Sequence, residues 1–221
     1  MSAAGGPRAP GPDPLLVACA LRIEQAALRS AGRAPGRGPA GGHTLLRTGM
    51  GPNAAERAVG RALGRPGMDR AAVLATGFCA GLVPGMHPGD LVVAEETRDP
   101  HGTVPCTGSA LLAEALAWAA PGRTVHTGAL TGSDHVVRGQ ERAQLRATGA
   151  IAVDMESAAT LWAATRGGDR PVAAVRVIVD APEHELVRIG TVRGGISAFR
   201  VLRAVLPAFH EWHRSLLLPR R

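Results

Sequence analysis

Two neighbouring stretches constrain the fold of this chain more than any others: AIAVDMESAATLW (150–162) and VAAVRVIVD (172–180). The second is a near-continuous run of small and β-branched apolar residues that ends in a lone carboxylate, Asp180, the pattern of a fully buried parallel strand. The first reads as a short apolar strand entering a helix whose opening turn carries Asp154 and Glu156, with Leu161 and Trp162 on its core side. Open α/β sheets bind ligands beyond the carboxyl ends of their strands. Two acids delivered there by two strands are therefore expected to face one pocket.

Length and composition bound what such a pocket can serve. The 221 residues are expected to form one domain over residues 15–218, preceded by a Gly/Pro/Ala tail, residues 1–14, too poor in buriable side chains to offset its ordering entropy. Three cysteines, Cys19, Cys79 and Cys106, are odd in number and lack metal-ligand spacing, which favours a reducing cytoplasm and argues against a zinc site. The net charge of +7 comes from arginine alone. No dense basic run is interleaved with aromatics, so no nucleic-acid partner is expected. No stretch approaches the roughly 20 apolar residues of a membrane span, and the amino terminus lacks the apolar core of a secretory signal.

Taken in order, residues 15–20 read as a buried strand and residues 21–30 as a helix with Glu24 near its start. A turn-rich connector, residues 32–42, leads to a strand over 43–48, a tight turn at TGMGP (48–52) and a helix over 53–63. That turn spaces its glycines as a dinucleotide loop does, but no paired acid follows about 20 positions on to hold a cofactor ribose. Residues 71–76 read as the central strand with a loop at 77–81, residues 91–94 as a returning strand, and Glu95, Glu96, Arg98 and Asp99 as a solvated rim. A packing helix over 109–119 and a strand over 124–130 lead to GSDHVV (132–137), where Asp134 reads as a loop acid and His135 as a polar neighbour. After residues 181–186, read as a loop at the mouth of the site, residues 191–218 read as one long amphipathic helix with Ile196, Phe199, Leu202, Leu206, Phe209 and Trp212 on one side. Apolar and basic residues together at its end suggest contact with an anionic lipid surface.

The segments DMESAA (154–159) and RVIVD (176–180) resemble the ribose and purine signature of the nucleoside phosphorylase and nucleosidase superfamily, which cleaves the N-glycosidic bond of nucleosides. TGMGP (48–52), TGFCAGL (76–82) with PGDLVV (88–93), and GSDHVV (132–137) agree in the same order. The resemblance implies an α/β fold of the phosphorylase/hydrolase-like kind, three layers α/β/α around a mixed central β-sheet. It implies as catalytic residues Glu24, to activate water, and Asp180, to donate a proton to the purine N7. A neutral Asp180 then requires burial and a nearby Glu156 carboxylate, or a proton relayed from water. As substrate-binding residues it implies Glu156 on the ribose hydroxyls, Met155 under the sugar, Met50 by the 5′ substituent, and Phe78, Val136 and Val137 around the nucleoside.

Phosphorolytic relatives grip phosphate with an arginine and a serine where this chain has Ala75 and Phe78, so hydrolysis is favoured, with Arg22 as a possible replacement cation. No metal or organic cofactor is required. Together with TVRGG (191–195), these segments are most similar to the hopanoid-associated phosphorylase family, linked to the release of adenine from adenosylhopane. The resemblance thus implies a small-molecule or lipid-linked purine nucleoside as substrate and a homo-oligomer, with a dimer favoured. A methylthioadenosine or adenosylhomocysteine nucleosidase, a true phosphorylase, and a non-enzymatic nucleoside- or lipid-binding protein remain open as alternatives.

Overall fold

A computed structural model describes residues 13–31, 42–182 and 190–216. The tail to residue 12, most of the 32–42 connector, residues 183–189 and residues 217–221 lie outside the described residues, and with them those expectations. The strands are β1 (Leu15–Cys19), β2 (His43–Arg47), β3 (Ala72–Gly81), β4 (Leu91–Asp99), β5 (Gly102–Pro105), β6 (Val125–Gly132), β7 (Ala150–Asp154) and β8 (Val172–Asp180). The helices are α1 (Arg22–Ala31), α2 (Pro52–Leu63), α3 (Ser109–Ala119), α4 (Gln140–Ala147), α5 (Ser157–Thr165), α6 (Gly190–Ala204) and α7 (Leu206–Leu216).

The sheet is mixed and runs β2-β1-β3-β7-β6-β4-β5, with β8 bridging β3 and β4. The strands β3, β8, β4, β6 and β7 therefore close into a ring. β8 is parallel to β3 but antiparallel to β4, so the expectation of a purely parallel environment for this strand is corrected. Burial on both faces holds, and it explains the unbroken apolar run.

Alternation along the strands feeds two cores, as the two-residue period of a strand requires. Leu15, Val17, Leu74 and Val175 face a cluster completed by Leu202, Phe209 and Trp212. Leu16, Ala18, Val73 and Ala174 face the opposite cluster, with Val59 and Leu161. The sheet thus lies between α1, α3, α6 and α7 on one side and α2 and α5 on the other.

Three sequence expectations are corrected. β3 continues through residues 77–81, because Ala80 and Gly81 pair with β7. The rim beyond residue 94 is strand as well, paired with β5 and β6. The single helix over 191–218 is two, α6 and α7, which meet at Val205 just before Pro207. Leu202, Leu206, Phe209 and Trp212 on its apolar side are buried, and Trp212 Nε1 donates to the Thr107 carbonyl at 2.7 Å, while residues 217–221 of the terminal stretch expected to meet lipid lie outside the described residues. Finally, α4 has a mostly polar sequence and no apolar stripe to announce it.

Candidate active site

The ends of β1, β3, β7 and β8 surround a cleft of about 290 Å³, and Glu24, Glu156 and Asp180 all line it. So do the apolar residues expected to contact a nucleoside: Met50, Phe78, Val136, Val137 and Met155. All eight positions drawn from the sequence are therefore brought together. An adjoining hollow of about 340 Å³ lies across Met155, rimmed by Glu56, Asp99, Asp134 and Glu141, but none of the three converging acids lines it.

Glu24 sits in the first turn of α1 and is 2% exposed. Its Oε2 accepts from the Ala20 and Leu21 amides at 2.9 and 2.8 Å, and its Oε1 accepts from the Phe78 amide at 2.9 Å. An ionised carboxylate offers about four acceptor positions. Three are taken by the backbone, and the fourth is left for a water or substrate hydroxyl. Burial raises the Glu24 pKa, with Arg176 and the three amides pulling the other way.

Glu156 stands at the N-cap of α5, and its Oε1 accepts from the Gly51 amide at 2.9 Å. Gly51 has φ +87°, left-handed backbone that side chains rarely adopt, so the 48–52 turn is shaped to aim that amide at the acid. Burial again raises the Glu156 pKa, opposed by Arg176. Asp154 takes a structural part instead: both of its oxygens accept from the Ser157 amide, and it pairs with Arg176.

Arg176 is the group that sequence reasoning missed. It is 1% exposed in mid-strand and its Nε meets Asp154 Oδ2 at 2.5 Å and Ser157 Oγ at 2.8 Å. Its Nη1 donates to the Thr76 carbonyl at 2.9 Å. Burial pushes its pKa down, but Asp154, Glu156 and Glu24 more than offset this and raise it. One buried cation thus pairs with Asp154 and acts electrostatically on Glu156 and Glu24. A lone charge inside an apolar strand run was the available signal, since a buried arginine requires carboxylate partners.

Asp180 departs from expectation. Its neighbour is not a second carboxylate but a guanidinium, Arg142 Nη2 from α4, with which Oδ2 forms an ion pair. A bulge at the end of β8 takes the register from Cys79–Ile178 to Ala80–Asp180, skipping Val179. Bulges beside sites re-aim side chains in this way. His135 lines the cleft on the exposed loop, held by Asp134 at 2.6 Å and Glu141 at 3.0 Å, and these hydrogen bonds raise its pKa. Cys79 also lines the cleft, but burial raises its thiol pKa, so it offers no thiolate nucleophile. Arg22 is exposed and does not line the cleft; Arg142, which does, is paired with Asp180, and Arg176, buried behind the cleft wall, is paired with Asp154.

Residues 36–207 match the family model described as the Phosphorylase superfamily. The chain belongs to the phosphorylase superfamily. The matched region holds Glu156, Arg176 and Asp180, while Glu24 precedes it. Sequence comparison with curated proteins gives no match.

Among solved members of this fold, the chain is similar to the 5′-methylthioadenosine/S-adenosylhomocysteine nucleosidase of Neisseria meningitidis in complex with methylthio-immucillin-A. The TM-score is 0.72 at 22% identity, over 89% of this chain and 98% of that one. It is similar also to the S-adenosylhomocysteine nucleosidase of Streptococcus pyogenes (TM-score 0.71, 20% identity, 90% and 96% covered). A futalosine hydrolase mutant of Helicobacter pylori gives a TM-score of 0.69 at 16% identity, with 93% and 100% covered. At these identities the likeness is one of fold, and the mixed central sheet of the phosphorylase superfamily is what this chain shares with all three.

Proposed function

We propose that this phosphorylase-superfamily chain is a nucleosidase that hydrolyses the N-glycosidic bond of a 5′-substituted adenosine. The observation that carries the reading is the convergence of Glu24, Glu156 and Asp180 on one cleft whose arginine among the described residues, Arg142, is already paired with Asp180. Cleaving such a bond builds positive charge on the sugar and negative charge on the departing base. In this reading Glu156 accepts the ribose hydroxyls and stabilises the cationic ring. Glu24, through its remaining acceptor position, orients and deprotonates water on the face opposite the base. Asp180 faces the purine, which gains a proton relayed from water as it leaves. Arg142, the one arginine in the cleft lining among the described residues, is paired with Asp180, which supports hydrolysis over phosphorolysis.

The substituent on the 5′ carbon is read from the cleft mouth. Met50 and Val136 are 67% and 63% exposed, an apolar rim that a large apolar substituent would cover. This supports a lipid-linked nucleoside, and adenosylhopane, converted to ribosylhopane and adenine, is the substrate we propose. The second reading is hydrolysis of a small 5′-thio-substituted adenosine, supported by the fold shared with the Neisseria meningitidis and Streptococcus pyogenes nucleosidases.

Mass spectrometry of products from a panel of 5′-substituted adenosines in phosphate-free buffer tests both readings. Free adenine with a reducing sugar product, fastest on the lipid-linked compound, is the expected result. Rapid turnover of methylthioadenosine would select the second reading. Strict dependence on phosphate with a sugar 1-phosphate product would overturn hydrolysis.

A further inference from the structure

The loop over residues 133–137 is stitched to α4 at two points. The inner one is buried: Arg142 Nε donates to the carbonyl of Val137, itself a buried residue, at 3.3 Å. The outer one is His135, whose ring stands between two carboxylates. Its Nδ1 meets Asp134 Oδ1 at 2.6 Å on the loop itself, and its Nε2 meets Glu141 Oε1 at 3.0 Å in the first turn of α4. Ser133 Oγ accepts from the His135 amide at 3.2 Å and donates to the His135 carbonyl at 2.9 Å, which fixes the backbone beneath the ring. His135 and Val136 line the cleft, whereas Asp134 and Glu141 rim the adjoining hollow together with Glu56 and Asp99. Glu24, Asp154 and Glu156 line the same cleft, and Arg142 there is engaged by Asp180.

Resting on the nucleosidase reading above, we propose that His135 is a positioning residue: as an imidazolium it clasps the 133–137 loop to α4 and so holds the rim of the cleft closed over the bound nucleoside. Only the charged ring carries two N–H donors, one for each acid, whereas the neutral ring keeps one donor and turns a bare nitrogen toward the other carboxylate. The two acids accordingly raise the pKa of His135. The clasp is therefore complete at low pH and opens as pH rises through that raised value, while the buried stitch at Val137 remains. Val136, 63% exposed at the rim, is the next residue along and moves with the ring's backbone. Opening the outer stitch loosens the apolar contact offered to the nucleoside and leaves Glu24 and Glu156, on other elements, where they are. Binding and chemistry thus respond to different groups.

The test is KM and kcat from pH 5 to 9 on the 5′-substituted adenosine turned over fastest in the panel, for the full chain and for His135→Ala, His135→Arg and Glu141→Gln. In the wild type KM is expected to rise roughly two- to fivefold, the scale of an exposed ion pair, through an apparent pKa above the ordinary histidine value of about 6.5. His135→Ala should show the high KM at every pH. His135→Arg, whose guanidinium stays charged and can donate to both acids, should show the low KM at every pH, a rescue that a merely structural histidine would not give. Glu141→Gln should move the rise to lower pH. A wild-type KM that is flat with pH, or a rise that persists in His135→Ala, overturns the clasp and leaves the nucleosidase reading standing. If no nucleoside is hydrolysed, that reading falls on its own, and a proton NMR titration of the His135 ring, identified by its absence in His135→Ala, decides the clasp. A raised pKa that drops in Glu141→Gln upholds it, and an ordinary value unmoved by Glu141→Gln overturns it.

Discussion

Glu24 and Phe78, 54 residues apart, are joined by a hydrogen bond in which the Phe78 amide donates to Glu24 Oε1 at 2.9 Å. With the Ala20 and Leu21 amides on Oε2, the carboxylate is held by donors alone. In Glu24→Gln the amide NH2 must oppose at least one of these donors. Turnover is expected to fall by about 10²–10⁴, the range a positioned general base supplies. Stability should drop by about 1–3 kcal/mol from the mismatched buried donor. Single-turnover adenine release and a thermal melt check the two effects separately.

Gly77 carries φ +137°, and a Cβ built there would lie 2.5 Å from Glu24 Oε1 and 2.6 Å from Arg176 Nη1. Neither group can retreat, because each is hydrogen-bonded inside the fold. Gly77→Ala is therefore expected to abolish measurable adenine release and to lower Tm. Gly51→Ala is the contrast: nothing lies within 4 Å of its added Cβ, so only backbone strain remains, of order 1–3 kcal/mol.

The pH profile follows from two carboxylates raised by burial, Glu24 and Glu156, each of which feels Arg176. Both are to work ionised, so kcat/KM should fall as pH drops through an apparent pKa above the ordinary glutamate value of about 4.3. The limb belongs to the pair rather than to either residue, because Glu24 also acts on Glu156. A limb at or below the ordinary value, in a stopped assay of adenine release from pH 4 to 9, would contradict the assignment.

The same shifts act on stability with a definite sign. A carboxyl whose folded pKa lies above its unfolded one binds its proton more tightly in the folded state. Its contribution is full below the unfolded value and is lost as pH rises through the folded one. Glu156→Gln keeps an oxygen for the single Gly51 amide and removes the buried charge. The variant should melt above the wild type at pH 8 and lose that advantage near pH 4, each kcal/mol reading as about 2–4 °C in Tm. Activity should meanwhile fall, since the sugar loses its anionic partner.

Arg176 pairs with Asp154 and acts electrostatically on Glu156 and Glu24, so Arg176→Met leaves these three acids without their shared counter-charge. A loss of about 3–5 kcal/mol is expected, the scale for breaking one side of a buried pair. Adding Asp154→Asn should recover part of it, which chemical denaturation of the single and double variants would measure.

Much of this was legible in the chain itself. The strands β1 and β8 announced themselves by apolar runs, and α3 was bounded correctly at Ser109–Ala119, because burial on defined faces leaves its period in the sequence. The 48–52 turn was visible in its glycines. The acids Glu24, Glu156 and Asp180 stood at the ends or starts of such elements, and their meeting at one cleft follows from strands that end on the same side. What stayed hidden was α4, whose polar residues give no stripe although its Arg142 is buried, and the continuation of β3 and β4 beyond their apolar runs.

By itself, then, the sequence determined which segments are buried and which acids sit at their ends, since both are local consequences of side-chain chemistry and period. Only the tertiary structure decided the partners. That Arg176 would pair with Asp154 and act on Glu156 and Glu24, and that Arg142 rather than Glu156 would meet Asp180, depends on a closed ring of strands and a bulge at Val179. The reason is physical: charges interact across space at distances of a few ångströms, and the contacts that bring them there join segments separated by tens of residues, which no local period records.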